Sequence, residues 1–190
     1  MNVSEAIKTR RAIRNYTDQE LSDEVVDTVV SLALEAPTAF NLQRSDLVVV
    51  RDQAVKDGLF AASNQKQLRD APVVLVVVAR TGMPSDIIDI LGEDYGAGVV
   101  KYFESLDAIK LRETALKDAM LVGAFALIAA QGEGLATSPT TGWDEAKVLE
   151  AVGLPNDGEH GVALVIAMGY GNEQPAHPGR IASRRINDRY

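Results

Sequence analysis

The chain has 190 residues, of which 46% are hydrophobic and 24% charged, a size and composition typical of one domain spanning 1–190 with a sizeable core. Its formal net charge of −8 disfavours nucleic acid as a main partner, because phosphate would be repelled. The absence of cysteine excludes disulfides and thiolate catalysis, and the two histidines, His160 and His177, are not spaced as metal ligands.

Apolar periodicity divides the chain into helices and strands. Helices are predicted at 2–10, from Ser22 to Pro37, and at 52–62, 106–131 and 145–152. Strands are predicted at 47–51, 72–79 and 161–168, and the last two are continuous apolar runs typical of strands buried on both faces. Residues 135–142 are a strand end or a loop, 81–98 have no clear pattern, and the chain after 169 is irregular and basic. Because the helices outweigh the strands and do not alternate with them strictly, we expect an α+β domain with a central sheet covered by helices.

One helix has an apolar run, Ala119–Ala130, with no polar side. The run is shorter than the roughly 20 residues that a membrane span needs. A helix of this kind is buried in a core or in a subunit interface, and in a domain of this size we favour an interface. The polar N-terminal segment has no signal-peptide core, so we expect a cytoplasmic protein without a membrane partner.

Three segments carry residues suited to binding a planar, phosphorylated ligand. In the first, Arg10 and Arg14 would project to one side of an extended chain, and guanidinium groups bind phosphate through paired hydrogen bonds. The second, 36–43, offers the amides of Asn41 and Gln43 to the edge of a heterocycle. The third, 134–143, is rich in small residues that let a backbone approach a flat ligand. Taken singly, these segments are equally typical of surface charge, a helix-to-strand turn and a helix-capping loop.

In this order and spacing the segments RRAIR, APTAFNLQ and GYGNEQPAHPGRIASRR resemble the FMN-dependent nitroreductase family over nearly the whole chain. The resemblance implies a nitroreductase-like fold, with a central, mainly antiparallel sheet flanked by helices. It also implies an intertwined homodimer in which an extended C-terminal tail, 170–190, wraps the neighbouring subunit. FMN is expected as the cofactor in place of FAD, because the chain has no dinucleotide fingerprint.

The resemblance also implies which residues hold the cofactor. Arg10 would bind the FMN phosphate together with Arg184, with Arg180 as the substitute, while Arg14 and Asn41 would lie at the flavin pyrimidine. Further cofactor-binding residues are Arg11, Ala12, Pro37, Thr38, Ala39, Gln43, Pro139, Thr140, Thr141 and Gly142. Among these, 37–39 would reach the flavin of the other subunit and 139–142 would pass close to the flavin N5.

The chain departs from the family pattern at four places. Ala12 stands where a serine is usual, so only its backbone can serve the cofactor. Arg44-Ser45 replaces a Pro-Trp pair, Thr141 an acidic residue and Ala182 a basic one. These changes bear on cofactor affinity and substrate range more than on the fold.

No side chain is predicted to be catalytic, because in flavin enzymes the cofactor carries the redox chemistry and the protein positions it. The resemblance implies hydride transfer from NADH or NADPH to the flavin N5, then to a small-molecule acceptor by ping-pong turnover. Nitroaromatics, quinones and similar conjugated compounds are the expected acceptors. Two alternatives stay open: a specialised dehydrogenating or flavin-consuming enzyme of the same family, and a flavin-binding protein without catalytic activity.

Overall fold

The computed structural model describes residues 1–189, which form helices and one sheet. The helices are α1 Val3–Thr9, α2 Asp23–Leu34, α3 Gln53–Ser63, α4 Lys66–Asp70, α5 Ile87–Leu91, α6 Glu93–Glu104, α7 Ala108–Gly132 and α8 Glu145–Ala151. The strands are β1 Ser45–Val50, β2 Val73–Arg80, β3 Ala136–Thr140 and β4 His160–Gly169. Short 3₁₀ turns occur at Ala39–Asn41 and Ala182–Arg184. The prediction of an α+β fold is confirmed.

The sheet has the strand order β1-β2-β4-β3, and every neighbouring pair is antiparallel. The register gives it two distinct ends. At the Ser45 end, β1 begins opposite Ala79, the penultimate residue of β2. At the Thr137 end, Thr137 pairs with Met168, which pairs in turn with Val73. The six residue steps from Val73 to Ala79 separate these ends by about 20 Å along the strands.

Helices cover both faces of the sheet, which explains why β2 and β4 are apolar except at the paired end residues Arg80 and His160. Leu75 and Val77 pack on one face in a cluster with α2 and α7, while Val74 and Val76 pack on the other face with α3, α4 and α8. Successive side chains of a strand point to opposite faces, so a strand between two helical layers must be apolar at every position.

The long helix α7 has two different faces. One packs on the sheet, where a Cβ added at Gly123 would lie 2.8 Å from Cδ2 of Leu164. The opposite face leaves Met120, Leu121 and Phe125 each more than 40% exposed. The core interpretation of the apolar run therefore holds for the face on the sheet, and the interface interpretation stays a prediction for the exposed face.

The run 119–130 also underestimates the length of this helix, which has 25 residues. Within residues 1–189, α7 is the one helix long and apolar enough to cross a membrane, a test that core helices also pass. The prediction compared the apolar run alone with a span, whereas this test counts the whole helix, which extends beyond that run. Its close packing against the sheet is typical of a core helix.

Sequence periodicity missed the helices α4, α5 and α6, and it did not decide whether β3 is a strand or a loop. Residues 81–98 contain α5 and the first half of α6, which are separated by Gly92 at φ 76°. Helix α4 and helix α5 have five residues each, too few to show an apolar stripe. Within residues 135–142, where the sequence indicates a strand end or a loop, Ala136–Thr140 form the edge strand β3.

Candidate active site

The arginine segment near the N-terminus lies along the edge of the sheet. Ala12 bridges Thr137 in parallel, and the Ile13 N–H donates to the Thr137 carbonyl at 2.9 Å. The segment is therefore fixed at the Thr137 end of the sheet. It lies beside the strand that leads into the predicted flavin loop 139–142. The hydroxyls of Thr137 and Ser138 are buried without a partner among residues 1–189, so this edge holds unused polar atoms.

Arg10 has a buried hydrogen-bond donor that nothing in residues 1–189 satisfies, its Nη1. Burial lowers the pKa of this guanidinium, and the positive charges of Arg11 and Arg180 lower it further. A half-buried cation beside two other cations, with no acceptor, is unfavourable unless an anion joins them. The surroundings of Arg10 therefore fit a phosphate group.

The two C-terminal arginines differ in their placement. Arg180 is near enough to Arg10 for its charge to lower the pKa of Arg10. Arg184 lies in the exposed 3₁₀ turn that follows. Of the two, it is Arg180, the substitute in the sequence prediction, that lies within electrostatic range of Arg10.

Arg11 and Arg14 have different surroundings from Arg10. The Nη1 of Arg11 donates to the carbonyls of Lys8 and Arg10, each at 2.8 Å, so this guanidinium caps the end of α1. The Arg14 side chain is exposed, while its backbone N–H donates to the carboxylate of Glu173. That hydrogen bond, with a second from Asn15, holds the pKa of Glu173 below its usual value. Glu173, which sequence reasoning missed, thereby ties the start of the tail to the arginine segment.

A second missed residue is Gln67, a buried amide of α4. Its Nε2 donates to Oε1 of Gln65 at 2.9 Å and approaches Oγ1 of Thr140 at 3.4 Å. Gln67 thus connects α4 to the last residue of β3, where the predicted loop 139–142 turns into its exposed half, Thr141 and Gly142. The polar run Asn64–Gln67 just before a buried strand is the sequence feature that could have indicated Gln67. A single sequence does not show which segment the side chains of such a run face.

The segment 38–43 is a strained loop. Phe40, Asn41 and Gln43 have φ values of 55°, 55° and 48°, which are uncommon for residues with a side chain. Each such residue costs roughly 1–3 kcal/mol and persists only where its surroundings fix it. Thr38 Oγ1 accepts from the Gln43 N–H at 3.0 Å, and Arg80 Nη2 donates to the Gln43 carbonyl at 2.6 Å. Strain of this kind is concentrated at functional sites.

The strained loop and the arginine segment do not meet within one chain. The loop leads directly into Ser45, while Arg10–Ile13 lie at the Thr137 end. The two ends are about 20 Å apart along the strands, and β1 and β3 are separated by three strand spacings, about 14 Å more across the sheet.

A polar cavity of about 860 Å³ lies between the Thr17–Asp23 segment and helices α3 and α4. It is lined by none of the predicted cofactor residues. A mostly apolar groove of about 600 Å³ lies where α1, α2 and α7 meet, and it is lined by Ile7, Leu32 and Phe125 among others.

Comparison with known proteins identifies the family. The model of the nitroreductase family matches residues 7–170. The chain belongs to the nitroreductase family. The resemblance seen in the sequence is thereby confirmed, and with it the prediction of an oxidoreductase enzyme.

Individual relatives match this nitroreductase chain along almost its whole length. A protein named NADH dehydrogenase from Thermus thermophilus is 29% identical over 98% of this chain and 95% of its own. The structure of an NAD(P)H:FMN oxidoreductase from Staphylococcus epidermidis matches with a TM-score of 0.88 at 18% identity, covering 100% and 96% of the two chains. A protein described as a nitroreductase from Exiguobacterium sibiricum, solved in complex with FMN, matches at 0.87 and 22% identity, covering 100% and 98%. At these identities the structural matches show the fold, which is that of the family.

Proposed function

We propose that this nitroreductase-family chain is an FMN-dependent oxidoreductase that takes electrons from NADH or NADPH. The unsatisfied buried donor of Arg10, beside Arg11 and Arg180, carries the proposal, because a buried donor among three positive charges suits an anion of the kind that FMN presents. When bound, FMN supplies the redox chemistry, passing a hydride from the reduced nicotinamide to a nitroaromatic, quinone or similar conjugated acceptor by ping-pong turnover.

The protein's own residues bind and orient the cofactor. Arg10 and Arg180 hold the phosphate, and Ala12 contributes only backbone atoms. The exposed guanidinium of Arg14 lies at the pyrimidine, where a positive charge favours the reduced, anionic form. Residues 139–142 flank the ring system, and their position is supported by Gln67.

The second half of the site comes from a partner subunit in this proposal. The strained loop lies too far from Arg10 to serve the same flavin, so residues 37–39 reach the flavin of the neighbour. Asn41 donates its N–H to the Thr38 carbonyl at 3.0 Å within one turn, so we assign it to the same flavin as Thr38. This revises the expected division of the flavin-binding residues between the two subunits, in which Asn41 and Arg10 of one chain bind the same flavin.

A homodimer is supported by the exposed apolar surface around α7. Soluble monomers avoid contiguous apolar patches, and the groove formed by α1, α2 and α7 together with Leu121 and Phe125 is such a patch. The tail, 170–190, is mostly exposed after Gly171, which suits the predicted wrapping of a neighbour. Its last residue, Tyr190, lies outside the described residues. A cytoplasmic location stays a prediction.

The identity of the cofactor is tested on the purified protein. Heat should release non-covalent FMN, which mass spectrometry identifies, and addition of NADH or NADPH should bleach the flavin absorbance. Release of FAD, or the lack of any flavin after saturation with FMN, would contradict the proposal. Bound flavin that neither NADH nor NADPH reduces would favour the flavin-binding protein without catalytic activity. Activity tests with different acceptors separate the proposed oxidoreductase from the specialised enzymes of the same family.

Arg14→Gln is expected to lower the reduction potential of the bound flavin while leaving the fold intact. Loss of one charged contact, about 1.5–3 kcal/mol, corresponds to roughly 30–65 mV for a two-electron couple. The midpoint is measured by anaerobic titration against a reference dye. The matched control is Arg189→Gln, which removes the same charge from the exposed end of the tail. An unchanged midpoint would remove Arg14 from the flavin site.

A further inference from the structure

Helix α7 carries a buried carboxylate, Asp118, that the proposed redox chemistry does not use. Its side chain is 8% exposed, and both carboxylate oxygens lie 3.2 Å from the backbone N of Ala39 in the strained loop. Burial raises the pKa of Asp118, whereas the Ala39 N–H and the charge of Arg44 act in the opposite direction. The pKa of Asp118 is raised on balance, so the Ala39 N–H and Arg44 offset only part of the cost of burying this charge.

Arg44 provides the positive charge that Asp118 faces, and its own hydrogen bonds lie elsewhere. Its guanidinium is 3% exposed, and Nε donates to the Arg80 carbonyl at 3.1 Å. Nη2 donates to the carbonyls of Gly82 and Leu111, at 3.1 and 3.3 Å, while Nη1 donates to Thr114 Oγ1 at 3.3 Å. The guanidinium also lies 5.3 Å from the centre of the Phe103 ring. Arg44 thus attracts the carboxylate electrostatically and leaves its oxygens to the Ala39 N–H.

The buried carboxylate and the strained loop are therefore linked at the Ala39 N–H. A loop with three left-handed residues between 40 and 43 would relax unless several contacts fixed it. Asp118 fixes the loop at Ala39, one residue before the first strained position. A buried carboxylate that holds a strained segment is typical of a functional constraint.

We propose that Asp118 is a positioning residue that holds the strained loop 38–43 in the conformation that contacts the partner's flavin. The inference rests on the proposed function. Without this carboxylate, the loop would relax in the free protein. Cofactor binding would then have to restore the strained conformation, which weakens apparent affinity in proportion to the population lost.

The test compares Asp118→Leu and Asp118→Asn with Glu113→Gln, which neutralises a half-exposed carboxylate on the same helix that pairs with Lys110 and Lys117. Asp118→Leu removes the carboxylate at similar volume but leaves the buried Arg44 without the negative charge that it faces, so its melting temperature should fall below that of the parent. Its affinity for FMN should fall about tenfold, because the loop loses its anchor. Asp118→Asn keeps an oxygen that accepts from Ala39, so it should bind FMN within about threefold of the parent, as should Glu113→Gln.

The outcomes separate this inference from the proposed function. A parent protein that does not bind FMN overturns the proposed function. A parent that binds FMN while Asp118→Leu binds it equally well overturns the positioning role alone. If the melting temperature of Asp118→Leu is below that of the parent, the FMN affinity of Asp118→Asn distinguishes the two explanations. An affinity close to that of the parent supports the hydrogen bond to Ala39, and an affinity as low as that of the leucine variant contradicts it.

Discussion

Ala124→Asp is expected to convert the dimer to a monomer and to release FMN in the same step. Ala124 is exposed on α7, and Leu121 and Ile128, three and four residues away, lie on the same helical face. A carboxylate there would be buried without a partner in the dimer. Such an unpaired charge costs about 3–5 kcal/mol, equivalent to at least a hundredfold in the dissociation constant.

Simultaneous loss of flavin follows because the proposed site needs both chains. The strained loop 38–43 and Arg10 lie at opposite ends of the sheet, so a monomer supplies only part of the residues that bind any one flavin. Light scattering at low micromolar concentration gives the mass, and flavin absorbance of the protein fraction gives the occupancy. Ala61→Asp, which places the same charge on the exposed face of α3, should stay dimeric and yellow. A parent monomer with the mass of one chain that still holds FMN would contradict the composite site.

Arg10→Ala is expected to weaken FMN binding by roughly 10- to 150-fold. The loss is that of a hydrogen bond to a charged group, about 1.5–3 kcal/mol, with a tenfold change for each 1.4 kcal/mol. In the apo protein the same substitution removes an unsatisfied donor and its repulsion from Arg11 and Arg180. The apo form should therefore melt no earlier than the parent, which separates loss of binding from loss of folding.

Fluorescence titration of apo protein with FMN measures this effect. Lys8→Ala serves as the control, because it removes one positive charge from the exposed side of α1, two residues away. It should leave FMN affinity unchanged within about twofold, since exposed charges contribute little. If Arg10→Ala bound FMN as tightly as Lys8→Ala, the arginine cluster would be surface charge alone.

Local sequence signals identified the elements that are long or strongly apolar. Helices α2 and α8 are capped by Ser22 and Asp144, residue types common at this position, whose side chains accept from the N–H groups of Val25 and Lys147. The buried strands β2 and β4 were predicted within one residue at each end, because an apolar run between two helical layers needs no tertiary information to be recognised. The three motifs RRAIR, APTAFNLQ and GYGNEQPAHPGRIASRR, taken in order, were enough to identify the family.

Tertiary structure alone decided which candidate residues come together. Arg10 and Arg14 are four residues apart, yet their surroundings differ. Arg10 lies within electrostatic range of Arg180 near the other terminus, whereas the Arg14 backbone N–H donates to Glu173. The buried positions of Arg44 and Asp118 were also invisible, because a charged residue in a sequence is by default a surface residue. Periodicity reports which face of an element is apolar, but not which distant element supplies a counter-charge or holds a strained loop. Those depend on long-range packing, which brings segments from opposite ends of the chain to one edge of the sheet.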